Sequence, residues 1–391
     1  MFTGGGTGGH VFPGIAVIER LSQLLGGRPY RIVWLGWSRG MERDIVARFS
    51  IPFYGIPAGK LRRYLSLRNI TDAGAVAAGF FSSLYLLKKL DTALVFSKGG
   101  FVSVPPVAAA RVLGIPSITH ESDLDPGLAT QLNARFTNRV LCAYEETTRH
   151  PRLSGKAKVT GNPVRSELFA GDRAAGRKLL GIPEGKKVVL VLGGSQGARQ
   201  INRMVEAVLD RLLEEAAVVH QMGSAHYRED APYSRSPHYL PAAVFTREFP
   251  HVLAAAALVV CRAGAGTLWE NGVLGKPSIL IPLGAGSSRG DQVRNASYFA
   301  GHGAAEVLSG DEVNAESLLE KCLVLLNDEE KRTRMGERAA RLCPSDGAER
   351  IAREITCTLE PSEVKSGPAA GSDGPGACTD GPAAADDGDR G

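Results

Sequence analysis

The chain has 391 residues, 43% of them hydrophobic and 22% charged, with a formal net charge of +5. That is too long for one ordinary core, is globular in composition, and carries a basic excess too small and scattered to imply nucleic acid. The six cysteines form no CxxC pair and no Cys/His zinc spacing, and with no signal peptide at the start they are expected to be reduced, in the cytoplasm.

Only Met1, Phe2 and Thr3 precede a first glycine turn, Gly4–His10, so the strand expected there is stunted unless translation starts upstream. The N-terminal half then alternates apolar strands, at Arg31–Gly36, Ala93–Ser97, Ile115–His120 and Val140–Cys142, with helical stretches, one from about Met41. Strands separated by helices predict a parallel sheet with right-handed crossovers. The closest approach to a membrane span, Ala73–Leu87, falls short of the roughly 20 apolar residues required and runs into Lys88 and Lys89. Gly161-Asn162-Pro163-Val164-Arg165 reads as a hinge.

A second strand series follows at Lys187–Leu192, Ala217–Met222, Leu258–Cys261 and Ser278–Pro282, with a second glycine turn, Gly193–Arg199, after its first strand. One helix is expected over Glu316–Arg341 and a last one over Glu349–Leu359, free to pack back across the domain boundary. The expected division is 1–160, 161–345, the helix in 346–360, and a disordered Gly/Pro/Ala/Asp tail over 361–391.

The fold class is therefore α/β, with two Rossmann-like parallel-sheet domains facing across a cleft. Each glycine turn lies between a strand and a helix, where backbone N–H groups and a helix N-terminus can hold anionic ligand atoms. Gly4, Gly6 and Gly9 satisfy GxGxxG, but the acidic residue that would bind an adenine ribose is missing from Trp34-Leu35-Gly36-Trp37-Ser38. That argues against a dehydrogenase. The chain also has no GxxxxGK[ST], which argues against a P-loop enzyme.

A resemblance rests on several motifs in order. They are Gly4–His10 with Val11-Phe12-Pro13-Gly14; Lys98-Gly99-Gly100-Phe101-Val102-Ser103-Val104-Pro105; His120-Glu121-Ser122-Asp123; Gly161–Arg165; Gly193–Arg199; Cys261-Arg262-Ala263-Gly264-Ala265; and Asp291-Gln292 with Asn295-Ala296. Together they resemble the MurG family of glycosyltransferases, from residue 2 to about residue 350. The resemblance implies a GT-B fold and UDP-GlcNAc as donor. It implies an acceptor made of lipid-linked muramyl-pentapeptide (lipid I), with inverting transfer to its 4-hydroxyl to give lipid II for peptidoglycan. The place of work would be the cytoplasmic face of the inner membrane, with the protein bound peripherally.

The same resemblance assigns roles. Ser195, Gln196, Arg262 and the segment Ala265, Gly266, Thr267 and Leu268 would meet the phosphates and ribose of the donor, and Glu270 the ribose hydroxyls. Gln292 would bind the GlcNAc hydroxyls, next to Asp291 where many relatives carry a second Gln. Arg165 would face the donor from the hinge. On the acceptor side Thr7, Gly8 and Gly9 offer donors, and His10, titratable near neutral pH, is the leading candidate for general base. Glu121 or Asp123 is the alternative. Asp123-Leu124-Asp125 imitates a DxD metal motif, but helix termini can neutralise diphosphate without one, so no obligatory metal is expected and Mg²⁺ would at most ride loosely on the diphosphate.

Membrane contact is expected from Lys60-Leu61-Arg62-Arg63-Tyr64 and from a helical face of Phe80, Phe81, Leu84 and Leu87 beside Lys88 and Lys89. Two other readings stay open on the sequence: a GT-B enzyme with a different lipid acceptor, such as diacylglycerol, and a non-catalytic nucleotide-sugar binder.

Overall fold

A computed structural model describes residues 1–6, 8–59, 68–153, 155–194, 197–228, 236–245, 247–284 and 290–360. Thr7, Ser195, Gln196, the Lys60–Tyr64 segment, the interior of the 284–290 loop and the tail from 361 lie outside the described residues.

The elements run in two series. The first is β1 (Phe2–Thr3), α1 (Gly8–Leu25), β2 (Trp34–Trp37), α2 (Glu42–Ala47), β3 (Phe53–Ile56), α3 (Arg68–Lys89), β4 (Val95–Ser97), α4 (Val104–Val112), β5 (Ser117–Glu121), α5 (Leu128–Asn133), β6 (Arg139–Cys142), α6 (Glu145–Thr148) and β7 (Ala157–Val159). The second is α7 (Arg173–Leu179), β8 (Lys187–Leu192), α8 (Arg199–Ala207), α9 (Leu209–Glu215), β9 (Ala216–Gln221), β10 (Tyr239–Ala242), α10 (Phe249–Ala255), β11 (Leu258–Cys261), α11 (Ala265–Val273), β12 (Ser278–Leu280), α12 (Asp291–Gly301), β13 (Glu306–Val307), α13 (Ala315–Asn327), α14 (Glu329–Leu342) and α15 (Gly347–Leu359).

The strands form two parallel sheets, ordered β3-β2-β1-β4-β5-β6-β7 and β10-β9-β8-β11-β12-β13. In each the strand order reverses once, between β1 and β4 and between β8 and β11. Ligands of open α/β sheets bind at the carboxyl ends of the strands flanking such a switch point. Both glycine turns emerge there. β1 is only two residues long, yet Phe2 pairs with Trp34 on one side and Phe96 on the other.

Covering helices leave no water-facing side on the central strands, so they read as continuous apolar runs. Val188, Val189, Leu190 and Val191 are fully buried. β3, β7, β10 and β13 were not anticipated, being short edge or near-edge strands without such runs. The expected single helix over Glu316–Arg341 is two helices. Asp328 leaves helical geometry (φ −114°, ψ 90°) and its carboxylate accepts the Lys331 N–H at 2.8 Å, starting α14 afresh.

α15 returns to the first sheet, where Ile351, Ala352 and Ile355 share a core with Phe2, Val11, Ile15 and Trp34. Ion pairs Arg20–Glu349 and Arg139–Glu354 border it. Burying the two isoleucines is worth about 1.5–3 kcal/mol each, whereas an exposed ion pair is worth about 0–1. Apolar burial docks this helix and the ion pairs orient it.

The expected face of α3 needs correction. Leu87 is fully buried, and Phe80 and Leu84 pack with it against Val95, Val107 and Ala110. The exposed apolar side chains are instead Phe81 (67%) and Tyr85 (61%), one turn apart, with the Lys89 ammonium 5.4 Å from the Tyr85 ring. Helix α4, with Val95 of β4, claims three of the four predicted positions, because packing there takes their apolar surface out of water.

Candidate active site

At the first switch point three loops meet. Gly4–Gly6 follows β1, Lys98–Gly100 follows β4, and Ser122–Gly127 follows β5. Gly100 turns at φ 81°, and a Cβ there would lie 2.4 Å from the Gly5 carbonyl oxygen, so the first two loops touch backbone to backbone. α1 begins at Gly8, which places Gly8, Gly9 and His10 in its first turn. The His10 ring packs over Gly99 and Gly100, and its Nδ1 lies 3.2 Å from the Lys98 carbonyl oxygen. In the neutral ring Nδ1–H donates to that carbonyl, which puts the lone pair on Nε2.

Beneath this turn sits a residue that sequence reasoning missed. Glu42 is fully buried, and its carboxylate accepts the Trp37 N–H at 2.8 Å and the Gly6 N–H at 3.4 Å. Space for it comes from glycines: a Cβ on Gly5 or Gly40 would lie 2.3 or 2.1 Å from its oxygens. Gly5, Gly36 and Gly40 around Glu42 were the sequence trace of the arrangement.

Glu121 is also buried. Its Oε1 accepts the N–H groups of Ser122 (2.9 Å) and Asp123 (3.1 Å), and its Oε2 that of Gly127 (2.9 Å). Burial pushes its carboxyl up, with Asp123 adding to the rise and the Thr130 hydroxyl and these amides opposing it. The carboxylate is thus built into its own loop. His120 is buried beside it, its Nε2–H donating to the Gly161 carbonyl at 2.9 Å, and burial holds its pKa well below the usual histidine range.

Asp123 faces the second half of the chain. Its Oδ1 accepts from Asn295 Nδ2 at 2.9 Å, while Asn295 Oδ1 accepts the Leu124 N–H at 3.1 Å and its Nδ2 also reaches the Ala263 carbonyl at 3.3 Å. Fully buried Asn295 therefore ties the loop after β5 to the turn after β11. Asp125 pairs with Arg294. Both acids of the DxD-like sequence are engaged by side chains of α12.

At the second switch point Gly193 and Gly194 follow β8, and Gly197 can only be glycine: it has φ 88° and a Cβ would lie 2.2 Å from the Met222 carbonyl oxygen. After β11, Gly264 precedes α11, whose first i→i−4 bond runs from Leu268 N to Gly264 O at 3.0 Å. The amides of Ala265, Gly266 and Thr267 therefore lie before the helical ladder, at the positive end of its dipole. A Cβ on Gly264 or Gly266 would meet nothing within 4 Å, so the space beside this turn is open.

Glu270 stands one turn into α11. Its Oε1 accepts from Arg165 Nε at 2.9 Å. Burial raises its pKa and the Arg165 guanidinium opposes that rise. The guanidinium also lies 5.3 Å from the Phe12 ring of α1 and 5.5 Å from the Phe249 ring of α10, so Arg165 touches an element of each series. Arg262 donates to the Ile281 carbonyl (2.9 Å) and to Gln200 (3.2 Å), bracing the turn. Gln292 Oε1 accepts the Leu283 N–H at 3.0 Å.

The structure thus gathers Gly8, Gly9, His10, Glu121 and Asp123 at one switch point and Arg262, Ala265–Leu268, Glu270 and Gln292 on the elements around the other, with Arg165 and Asn295 bridging. Two surface cavities, of ≈ 290 and ≈ 420 Å³, lie apart from these residues; Glu306 and Lys331 line both.

Comparison with known proteins agrees with this division. Residues 1–142 match the glycosyltransferase family 28 N-terminal domain and residues 188–351 its C-terminal domain. A UDP-N-acetylglucosamine–N-acetylmuramyl-(pentapeptide) pyrophosphoryl-undecaprenol N-acetylglucosamine transferase of Treponema denticola is 47% identical over 335 residues, 81% of this chain and 85% of that one. The equivalent transferase of Lachnospira eligens is 41% identical over 319 residues, 82% of this chain and 88% of that one. Among solved structures, MurG of Acinetobacter baumannii aligns with a TM-score of 0.69 at 26% identity, covering 91% of this chain and 98% of that one. MnaA of S. aureus, solved with UDP, aligns at 0.66 and 14% identity, covering 92% and 96%, a likeness of fold alone.

Proposed function

The chain belongs to the MurG family within glycosyltransferase family 28, and from that premise we propose how its cleft works. It transfers GlcNAc from UDP-GlcNAc to the muramyl-pentapeptide carried on pyrophosphoryl-undecaprenol. In this reading the muramyl 4-hydroxyl attacks the anomeric carbon as the bond to UDP breaks, with inversion and no covalent enzyme intermediate. His10 Nε2 takes the hydroxyl proton. The observation that carries this assignment is the Nδ1 bond to the Lys98 carbonyl, which fixes the ring in the tautomer a base requires. Glu121, whose oxygens hold three amides, acts as a loop support.

The departing UDP gains negative charge, and the amides of Ala265, Gly266 and Thr267 stabilise it, with Ser195 and Gln196 of the other glycine turn as further donors. Glu270 accepts from the ribose hydroxyls, shared with or displaced from Arg165. Gln292 offers its NH₂ to the GlcNAc hydroxyls. The Gly8 and Gly9 amides and Thr7 receive the acceptor. No obligatory metal is needed, because amides supply the positive field and Asp123 and Asp125 are held by Asn295 and Arg294; Mg²⁺ would accompany the diphosphate only loosely.

Among the described residues no helix is long and apolar enough to cross a membrane. We place the protein peripherally on the cytoplasmic face of the inner membrane, docked through Phe81, Tyr85, Lys88 and Lys89 of α3. The test is transfer of radiolabelled GlcNAc to a short-chain lipid I analogue by the wild type, His10→Ala and Glu270→Ala. Expected are robust wild-type transfer, loss of turnover without His10 and a raised donor KM without Glu270. Absence of transfer by folded wild type, or turnover with diacylglycerol instead, would refute the assigned acceptor.

A further inference from the structure

One charged side chain of the acceptor half has no part in the scheme above. Lys98 follows β4 and is 1% exposed, although a buried ammonium is costly unless it is paired. Its ammonium donates to Ser122 Oγ, and that hydroxyl donates to Asn162 Oδ1 at 2.9 Å, in the hinge. The charged and titratable groups that face it come from two elements. Glu121 and Asp123 at the end of β5 attract the ammonium, His120 of the same strand is held neutral beside it, and His10 of α1 meets its carbonyl. α5 brings only the uncharged Thr130, bonded to Glu121.

The backbone at this position is equally committed. The Lys98 N–H donates to the Thr3 carbonyl at 2.8 Å, and the next two residues turn at φ 91° and 81° against the first glycine turn. A single residue therefore meets the base through its carbonyl and the acidic loop through its ammonium.

We propose that Lys98 is a positioning residue of the acceptor site: its buried ammonium, through Ser122, locks the Glu121–Asp123 loop against the hinge, while its carbonyl sets the ring of His10. The inference rests on the acceptor reading given above. The charge matters more than the shape, because two carboxylates brought together at the end of one strand repel unless a cation stands near them, and both attract the Lys98 ammonium. Burial pushes the Lys98 ammonium down to about 8, the two acids opposing the fall. The lock therefore opens when pH rises past that value.

The experiment is acceptor kcat/KM across about pH 6 to 10 for wild type, Lys98→Met and Lys98→Arg, with UDP affinity by calorimetry. Wild type is expected to lose activity on an alkaline limb near pH 8. Lys98→Arg, whose guanidinium stays charged, moves that limb upward. Lys98→Met drops about 10- to 100-fold and loses the alkaline limb, because no ammonium is left to deprotonate. UDP affinity stays within about twofold throughout, since the donor half is untouched.

A Met variant whose profile parallels the wild type, only scaled down, would mean a merely structural lysine and overturns the proposal. Should Lys98→Met fail to fold, Ser122→Ala removes the contact and keeps the charge; unchanged acceptor kinetics in that variant also overturns it. Wild type that binds UDP but transfers nothing refutes the acceptor reading instead, so the two failures are distinguishable.

Discussion

The two switch points occupy equivalent places in their sheets and use opposite electrostatics. The first is crowded with buried charge: Glu42 is 0%, Lys98 1% and Glu121 6% exposed, each anchored by backbone amides or a hydroxyl. The second presents backbone amides and open space beside Gly264 and Gly266, with Arg165, Glu270 and Arg262 around it. On the proposed function, the contrast matches what each half would receive. A nucleotide diphosphate brings its own charge, so a neutral field of N–H dipoles suffices to hold it. Activating a hydroxyl needs a base and acids fixed before the reaction, and fixed charges cost no reorganisation during it.

The strongest challenge to this division of labour is kinetic. Removing a general base costs about 10²- to 10⁴-fold, so His10→Ala should lower kcat by that factor and leave UDP affinity unchanged. Glu270→Gln should do the reverse, raising the donor KM about tenfold, the equivalent of one charge-assisted hydrogen bond of about 1.4 kcal/mol. Steady-state kinetics with both substrates varied would show it. If His10→Ala weakened UDP binding, the two halves would not be separable in this way.

Acid should find the second half next. His220 in β9 is fully buried; its Nε2–H donates to Asn202 Oδ1 at 3.1 Å and its Nδ1 accepts from the Tyr239 hydroxyl at 3.0 Å. Burial pushes its pKa down to about 4. The unfolded chain, with an ordinary histidine pKa near 6.5, binds that proton first, so stability is full above about pH 6.5 and lost as pH falls toward 4. Keeping the ring neutral in the fold while the unfolded chain takes up its proton costs about 3 kcal/mol by the acid end of that window. Urea midpoints between these pH values should fall in wild type and flatten in His220→Gln; equal slopes would remove His220 as the cause.

The first half is sensitive to loss of charge rather than gain of it. Glu42→Gln replaces an accepting oxygen with a donor that faces the Trp37 or Gly6 N–H, and an unsatisfied buried amide costs about 1–3 kcal/mol. The expected outcome is a lower unfolding midpoint with UDP affinity retained. An unchanged midpoint would show that the carboxylate is not what holds the first turn.

What could be read in advance follows the same line. Glycine turns after apolar strands are local signals, because a turn that needs positive φ or close backbone approach selects glycine at that position, as at Gly100 and Gly197. The two sheets and their switch points were therefore legible. The supports were not. Glu42 reads as an ordinary helix-start acid until Gly5 and Gly40 are seen around it, and Asn295 reads as a helix residue until Leu124, 171 positions away, donates to it. Phe80, Phe81, Leu84 and Leu87 read as one apolar stripe, but a stripe does not say whether core or solvent receives it. The break at Asp328 was missed because periodicity on both sides is helical and only the cap interrupts it.

The smallest expected effect concerns the surface rather than the cleft. Phe81 and Tyr85 are mostly exposed, and together with Lys88 and Lys89 they form a compact amphipathic patch on the first half. Seating one aromatic ring partway into an interface gains about 1 kcal/mol, and a nearby lysine gains a similar amount on anionic lipid. Phe81→Ser should then weaken binding to anionic vesicles about fivefold and leave the thermal midpoint alone. Transfer to a water-soluble short-chain acceptor should also be unaffected, because that substrate needs no membrane. If the soluble transfer fell as well, α3 would be acting on the cleft, and the acceptor half would owe its activity to more than the charges buried at its switch point.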